Sequence, residues 1–284
     1  MGTKIPVTYL FVPADRPERY EKALASGSDR IIIDLEDAVR IDAKQAARMA
    51  LRHADIDWER VVVRMNPAGS QFFEEDLLAV AETKVTTILL PKAERQSDIV
   101  DLLNALEREV EVIPQIETAK GLNELDQLLL APCVRRVAFG HLDMAVDLGT
   151  ANDWDSLVLA RQTLVWRSRL HHKDPPIDSV TPAIDASEVF REAASAKRFG
   201  FGGKLLIHPK QVEPTLKAFA PSDQEVEWAR KVLAALENSH GSAVAVDGKM
   251  VDKPVEDAAK RVLAALTTSE VDQSLDALID RDKN

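Results

Sequence analysis

Short apolar runs alternate along this chain with longer segments in which apolar residues recur at helical spacing. Eight such runs stand out: Tyr9-Leu-Phe-Val12, Ile31-Ile-Ile33, Val61-Val-Val63, Ile88-Leu-Leu90, Val112-Ile113, Val137-Ala-Phe139, a weaker stretch from Ile177 to Val180, and Leu205-Leu-Ile207. They are continuous rather than alternating, as expected of parallel strands buried on both faces. Between them the spacing predicts helices over 42–53, 97–109, 122–130 and 155–171. Alternating strands and helices predict right-handed βαβ units, and eight of them predict a (β/α)8 TIM barrel. A doubly wound open sheet would carry a glycine-rich turn after its first strand. Here Val12 is followed by Pro-Ala-Asp-Arg-Pro17.

The rhythm breaks after Pro221. A helix is expected over 222–237, then a flexible break at Asn238-Ser-His-Gly-Ser242, then a short hairpin around Asp247-Gly248. Two amphipathic helices follow, over 255–266 and 271–279. A barrel needs none of this to close. The expected organisation is therefore a barrel over 1–220 and a C-terminal helical arm over 221–284 that packs on the barrel's rim or reaches a neighbouring subunit.

Composition narrows the class. The chain has 284 residues, 45% of them hydrophobic and 29% charged, which excludes disordered and fibrous classes. The net charge of −11 repels phosphate backbones and argues against nucleic acid as a partner. A local basic cluster still leaves room for a small anion. One cysteine, Cys133, allows neither an intramolecular disulfide nor a cysteine metal cage, and it reads as a small apolar filler. No signal peptide and no run of the ~20 apolar residues of a membrane span is found, so a cytoplasmic protein with no membrane partner is expected.

In barrel enzymes the active site lies at the C-terminal ends of the strands. There this chain carries Asp34-Leu-Glu-Asp37, Arg64-Met-Asn-Pro67, Pro91-Lys92, Pro114-Gln-Ile-Glu117, Gly140-His-Leu-Asp143 and His208-Pro209. Glu117 and Asp143 follow adjacent strands. Two hard oxygen ligands without cysteine suit Mg²⁺, although acids at such places also cap the next helix. Arg64 can take a carboxylate bidentately, or bridge to Asp34 or Glu36. Glu36 and Asp37 could hold metal-bound waters, Asp34 suits barrel packing or a bridge, and Lys92 could serve an anion or bridge to a rim acid. Gly200-Phe-Gly-Gly203 precedes a strand, so it reads as a tight turn rather than a phosphate loop. His171-His172 reads as solvated surface.

Taken together, the ordered set resembles the citrate lyase β-subunit-like family, within the HpcH/HpaI aldolases and the malyl-CoA and citramalyl-CoA lyases. The segments that carry the likeness include Phe11-Val-Pro13, Asp34-Leu-Glu-Asp-Ala-Val39 with Lys44 and Arg48, Val63-Arg-Met-Asn66, Leu90-Pro-Lys92, Ile116-Glu117, Gly140-His-Leu-Asp143, Gly200-Phe-Gly-Gly-Lys204, Ile207-His-Pro209 with Gln211, and Asp247-Gly-Lys-Met-Val-Asp252. They span the chain almost end to end. The resemblance implies a Mg²⁺-dependent carbon–carbon lyase. Glu117 and Asp143 match the metal ligands, and Arg64 matches the arginine for the substrate carboxylate. Phe11, Pro13, Arg16, Lys44, Pro91, Lys92, Ala93, Ile207 and His208 fall where relatives hold a CoA thioester or the substrate. Asp252 matches an aspartate brought by the arm of a neighbouring subunit, which implies a homo-oligomer, a trimer or a hexamer.

The expected reaction is retro-aldol cleavage of a short β-hydroxyacyl-CoA, of the citramalyl-CoA or malyl-CoA type, to acetyl-CoA and a 2-oxo acid. Asp252, or failing it Asp247, would act on the acetyl carbon. As a turn residue beside Lys253-Pro254, Asp252 has a purely structural reading as well. Other readings stand beside the lyase: a citryl lyase subunit working on an acyl-carrier thioester, a malyl-CoA thioesterase or malate synthase, a CoA-independent pyruvate aldolase, and a metabolite-binding barrel without turnover.

Overall fold

Eight parallel strands close on one another in chain order. They are β1 (Thr8–Pro13), β2 (Arg30–Asp34), β3 (Val61–Arg64), β4 (Thr87–Leu90), β5 (Glu111–Ile116), β6 (Ala138–Phe139), β7 (Ile177–Asp178) and β8 (Gly203–Leu206). The last pairing, Thr8 opposite Lys204, seals β1 to β8. The computed structural model describes residues 5–238, 244–246 and 249–265. The intervening helices are α1 (Tyr20–Leu24), α2 (Lys44–Arg52), α3 (Phe73–Ala81), α4 (Gln96–Leu106), α5 (Ala119–Asn123), α6 (Leu125–Leu130), α7 (His141–Leu148), α8 (Val158–Leu170), α9 (Ala186–Phe199) and α10 (Val212–Phe219). The chain is thus the (β/α)8 barrel that the apolar runs predict.

Strand side chains alternate between two faces, and here both faces are buried. One residue from each strand joins an inner cluster: Tyr9, Ile32, Val62, Leu89, Ile113, Ala138, Ile177 and Leu205. Their neighbours, such as Leu10, Ile31, Ile33, Val61 and Val63, pack outward with helix residues such as Leu51, Leu102 and Leu128. This is why the runs read as continuous. The weak run near Ile177 gives a strand of only two residues.

Several local expectations shift. The helix expected over 122–130 is two helices that meet at Glu124. The one expected to reach 109 stops at Leu106, where Glu107 turns left-handed with φ 51°. Cys133 is exposed in a left-handed turn with φ 59°, so it is no apolar filler. His171 is not free at the surface: its Nε2 lies 2.9 Å from Asp126 Oδ1, and Arg167 Nη1 holds the other oxygen at 2.6 Å. Gly200 ends α9 with φ 103°, a conformation that favours glycine, so that loop is a turn into β8.

By its contacts the chain divides at residue 220. The second unit contains α11 (Asp223–Asn238), the antiparallel pair β9 (Val244–Val246) and β10 (Lys249–Val251), and helical residues 253–265. Ala229, Val232, Val251 and Ala259 form its buried cluster. The break expected after Asn238, the hairpin tip at Asp247-Gly248 and the helix expected over 271–279 lie outside the described residues. Among the described residues no helix is long and apolar enough to cross a membrane.

A fully buried ion cluster lies between barrel and helices. Asp178 accepts Lys204 Nζ at 2.9 Å and Arg161 Nε at 3.2 Å, and Lys204 also donates to the Ser179 carbonyl at 2.8 Å. Burial alone would raise the Asp178 pKa, but the two cations hold it below its ordinary value. Asp178→Asn leaves both cations buried without their counter-charge and is expected to cost about 3–5 kcal/mol at neutral pH, read by urea denaturation. The wild-type contribution is complete above the ordinary aspartate pKa of about 3.9 and is lost as pH falls through the lowered value. The stability gap between the two proteins should therefore narrow on acidification below about pH 4; a gap that widens there refutes the assignment.

Candidate active site

Asp34 and Arg64 stand opposite one another where β2 and β3 pair. Arg64 donates from Nε and Nη2 to the two Asp34 oxygens at 2.7 and 2.6 Å, and its Nη1 lies 2.9 Å from Glu36 Oε2. Its guanidinium carbon sits 4.6 Å from the centre of the Phe11 ring. Burial opposes the arginine's charge, but Asp34 and Glu36 outweigh it and raise its pKa. Asp34 also accepts the backbone N–H groups of Glu36 and Ala38 at 2.9 and 3.1 Å. It is therefore the bridge that the sequence allowed, and it fixes the turn that carries Glu36.

Glu36 leads to the next strand. Its Oε1 accepts Lys92 Nζ at 2.8 Å, and the same ammonium lies 3.3 Å from Asp143 Oδ2. The Lys92 backbone N–H donates to Glu117 Oε1 at 3.0 Å. Lys92 thus touches three of the acids that the sequence singled out. Its backbone is left-handed, φ 48°, a conformation a lysine keeps only where its surroundings impose it.

Glu117 is 2% exposed and Asp143 half-exposed. Beyond the Lys92 N–H, Glu117 accepts Gln115 Nε2 at 3.3 Å. Burial first, and the Glu36 charge second, push the Glu117 pKa well up. Glu36 is raised for the same reason, with Arg64 opposing. Gly140 lies against Glu117: a Cβ there would sit 2.5 Å from Oε2 and 2.8 Å from the glutamate Cβ. Asp143 lies in the first turn of α7, whose first residue, His141, donates its backbone N–H to Ser179 Oγ at 3.1 Å and has its Nδ1 2.6 Å from the same oxygen. Burial, and then Arg161, push the His141 pKa down to about 4, so its ring is neutral at pH 7.

The remaining candidates are placed unevenly. Pro91 and Ala93 are buried beside Lys92, Pro13 is half-buried, and Asp37, Arg16 and Ile207 are exposed. His208 caps the turn after β8: its Nδ1 accepts the Lys210 N–H at 3.1 Å. Lys44, expected as a CoA contact, has its ammonium engaged by the protein. Its ammonium is buried, and it donates to the Leu35 and Glu36 carbonyls at 2.5 and 2.8 Å and to Asn66 Oδ1 at 2.9 Å. An ammonium has three donors, so Lys44 is spent on holding the loop that carries Glu36. Asp252 belongs to the second unit, where it is exposed and its Oδ1 accepts the Val255 N–H at 3.2 Å.

Sequence reasoning missed two supports. Gln115 shares a strand face with Glu117, and strand periodicity points to it. Asp76 accepts Asn66 Nδ2 at 2.6 Å and Arg48 Nε at 2.7 Å. It sits in the apolar stripe Phe73, Leu77, Val80 of α3, and an acid in such a stripe is the signal that could have found it.

A sequence model of the HpcH/HpaI aldolase/citrate lyase family matches residues 8–209. The chain belongs to that family. A citrate lyase subunit beta-like protein of Mycobacterium tuberculosis is 36% identical over 272 residues, covering 92% of this chain and 97% of that one. A (3S)-malyl-CoA thioesterase of Cereibacter sphaeroides is 34% identical over 252 residues, covering 86% and 88%. The crystal structure of CitE from M. tuberculosis in complex with magnesium, acetoacetate and coenzyme A superposes with a TM-score of 0.84 at 35% identity, covering 92% of this chain and 97% of that one.

In this HpcH/HpaI family member the place of Glu117 depends on the missing side chain at Gly140. Gly140→Ala should displace the carboxylate and cost about 1–3 kcal/mol through overpacking. Denaturant midpoints for the variant and for Gly149→Ala, where a Cβ meets nothing within 4 Å but φ is 66°, separate crowding from backbone strain. A crystal structure of Gly140→Ala with Glu117 unmoved would refute the packing argument.

Proposed function

We propose that this chain is a Mg²⁺-dependent carbon–carbon lyase that cleaves a short β-hydroxyacyl-CoA, of the citramalyl-CoA or malyl-CoA type, to acetyl-CoA and a 2-oxo acid. The observation that carries the reading is an excess of negative charge at the barrel mouth. Among the described residues, Asp34, Glu36 and Asp143 form ion pairs with only two cations, Arg64 and Lys92, and Glu117 forms none. With all four acids ionised the cluster lacks two positive charges, the charge of one divalent cation. Burial first raises the pKa of both Glu36 and Glu117, and the Glu36 charge adds to it at Glu117. The donor set is all oxygen, which suits magnesium.

Glu117 and Asp143 would hold the ion, with waters completing its ligands and Glu36 and Asp37 placed to orient them. Magnesium there supplies a Lewis acid for the 2-hydroxy-acid end of the substrate. Arg64 binds the carboxylate at that end. A guanidinium has five donors. Asp34 takes one from Nε and one from Nη2, while Glu36 Oε2 faces Nη1 at 2.9 Å as an ion pair without a hydrogen bond, which leaves N–H groups on both terminal nitrogens. That pair is the fork a carboxylate accepts bidentately. Phe11, whose ring lies under the guanidinium, covers one of its faces.

Bond cleavage removes the hydroxyl proton, breaks the carbon–carbon bond and leaves the electron pair on the acetyl thioester carbon, which must take a proton. Asp252, brought by the C-terminal arm of a neighbouring subunit in a homo-oligomer, trimer or hexamer, would deliver it and would act as the base in the reverse direction. The arm would need to shield this exposed aspartate partly from water. Pro13, Arg16, Pro91, Lys92, Ala93, Ile207 and His208 would line the path of the thioester, in a cytoplasmic setting. A second reading is thioester hydrolysis, favoured by the 34% identity to a (3S)-malyl-CoA thioesterase.

One assay separates the readings. The protein is incubated with Mg²⁺ and malyl-CoA, citramalyl-CoA or citryl-CoA, and acetyl-CoA, free CoA and each 2-oxo acid are measured. The expected products are acetyl-CoA and one 2-oxo acid. Activity should vanish with EDTA and fall at least about a hundredfold in Glu117→Ala. Free CoA with a hydroxy acid would instead establish hydrolysis, and no turnover of any thioester would sink both.

A further inference from the structure

Among the ions at the barrel mouth, Lys92 is set apart by its freedom. Arg64 is clamped by two carboxylates and a ring, with a side chain 10% exposed. The Lys92 side chain is 36% exposed, and its ammonium rests on two acids from different strand ends, Glu36 Oε1 at 2.8 Å and Asp143 Oδ2 at 3.3 Å. The contact with Asp143 is the longer one, and Asp143 is the more exposed acid, 42% against 5% for Glu36. An ammonium is a compact point charge on a flexible stem, so it can let go of one oxygen while keeping the other.

We propose that Lys92 is a built-in competitor for the divalent cation: its ammonium neutralises Asp143 when no cation is bound and must leave Asp143, pivoting on Glu36, for a cation to bind there. This rests on the reading of Glu117 and Asp143 as the cation's ligands. A unit positive charge at 3.3 Å from one ligand oxygen opposes an incoming divalent ion directly. Because the backbone N–H of the same residue holds Glu117 Oε1 at 3.0 Å, the two candidate ligands meet at one residue with separable parts. The backbone orients Glu117, and the side chain guards Asp143. A carboxylate substrate brings negative charge to the same mouth. It compensates the retained ammonium, so cation and substrate would bind more tightly together than apart.

The side chain can be removed without touching the backbone bond. Mn²⁺ serves as the probe, titrated calorimetrically into the full-length, thioester-free protein. Lys92→Met and Lys92→Gln are expected to bind Mn²⁺ at least about tenfold more tightly than the wild type, and Lys92→Arg within a few-fold of it. Adding pyruvate or glyoxylate should tighten Mn²⁺ binding in the wild type more than in Lys92→Met. Unchanged or weaker binding in both neutral variants overturns the competition, as does equal tightening in Lys92→Arg. If neither the wild type nor any of these variants binds Mn²⁺, Glu117 and Asp143 are not the cation site, and the competition falls with them. Thermal melting of each variant confirms that folded protein is being compared.

Discussion

The ion pair between Asp34 and Arg64 sets the terms for everything at the mouth of the barrel. Strand register puts the two residues opposite each other, and the barrel buries both. Neither charge can be given up: removing one partner of such a pair leaves the other buried and uncompensated, at about 3–5 kcal/mol. Asp34 spends its remaining acceptor capacity on the backbone of the following turn. Glu36 is thereby aimed back at the guanidinium and across to Lys92. One strand-pair contact thus positions groups on the loops after β2, β3 and β4.

A second constraint comes from the other side of the mouth. Glu117 is held by one backbone N–H, one amide and the bare face of Gly140. None of these carries a full charge. The carboxylate is oriented without being neutralised, which is the condition for a ligand that must bind something else. Lys44 illustrates the opposite choice. Its ammonium is saturated by two carbonyls and an amide, and Phe72 lies 5.4 Å away, so it builds the loop and is unavailable to a ligand.

These contrasts explain what could be read from the chain. The barrel was legible because strands buried on both faces must be continuously apolar, and eight such runs survive in the sequence. Glu117, Asp143 and Arg64 were legible as candidates because each lies just past the end of an apolar run, where a barrel puts its chemistry. The bridges of Arg64 to Asp34 and Glu36, and of Lys92 to rim acids, were legible too, whereas other pairings were not. Lys44 meets Asn66, Arg48 meets Asp76 and His171 meets Asp126 across 22, 28 and 45 residues of chain, and such pairings leave no local periodicity. Family likeness placed Lys44 near the ligand, yet only the fold shows that its donors are consumed. Cys133 was misread because its apolar neighbours hid a left-handed surface turn.

Two buried charge clusters in this barrel separate scaffold from site. At Asp178 one acid faces Lys204 and Arg161; cations are in excess, and the carboxyl is held below its ordinary pKa. Arg161 also helps to keep His141 neutral, so the excess charge is spread over groups that have no need of a ligand. At the mouth the balance is reversed. Acids outnumber cations, and two carboxyls are pushed up rather than down. Both clusters are linked by ion pairs, but the one at Asp178 is closed off, whereas the one at the mouth opens at Lys92 and Asp143. The charge count also differs: Asp178 faces two cations, whereas the acids at the mouth outnumber Arg64 and Lys92, so only the mouth gains by taking up a cation. In this molecule that cation would enter against Lys92, which is more exposed than Arg64 and so has more room to move aside.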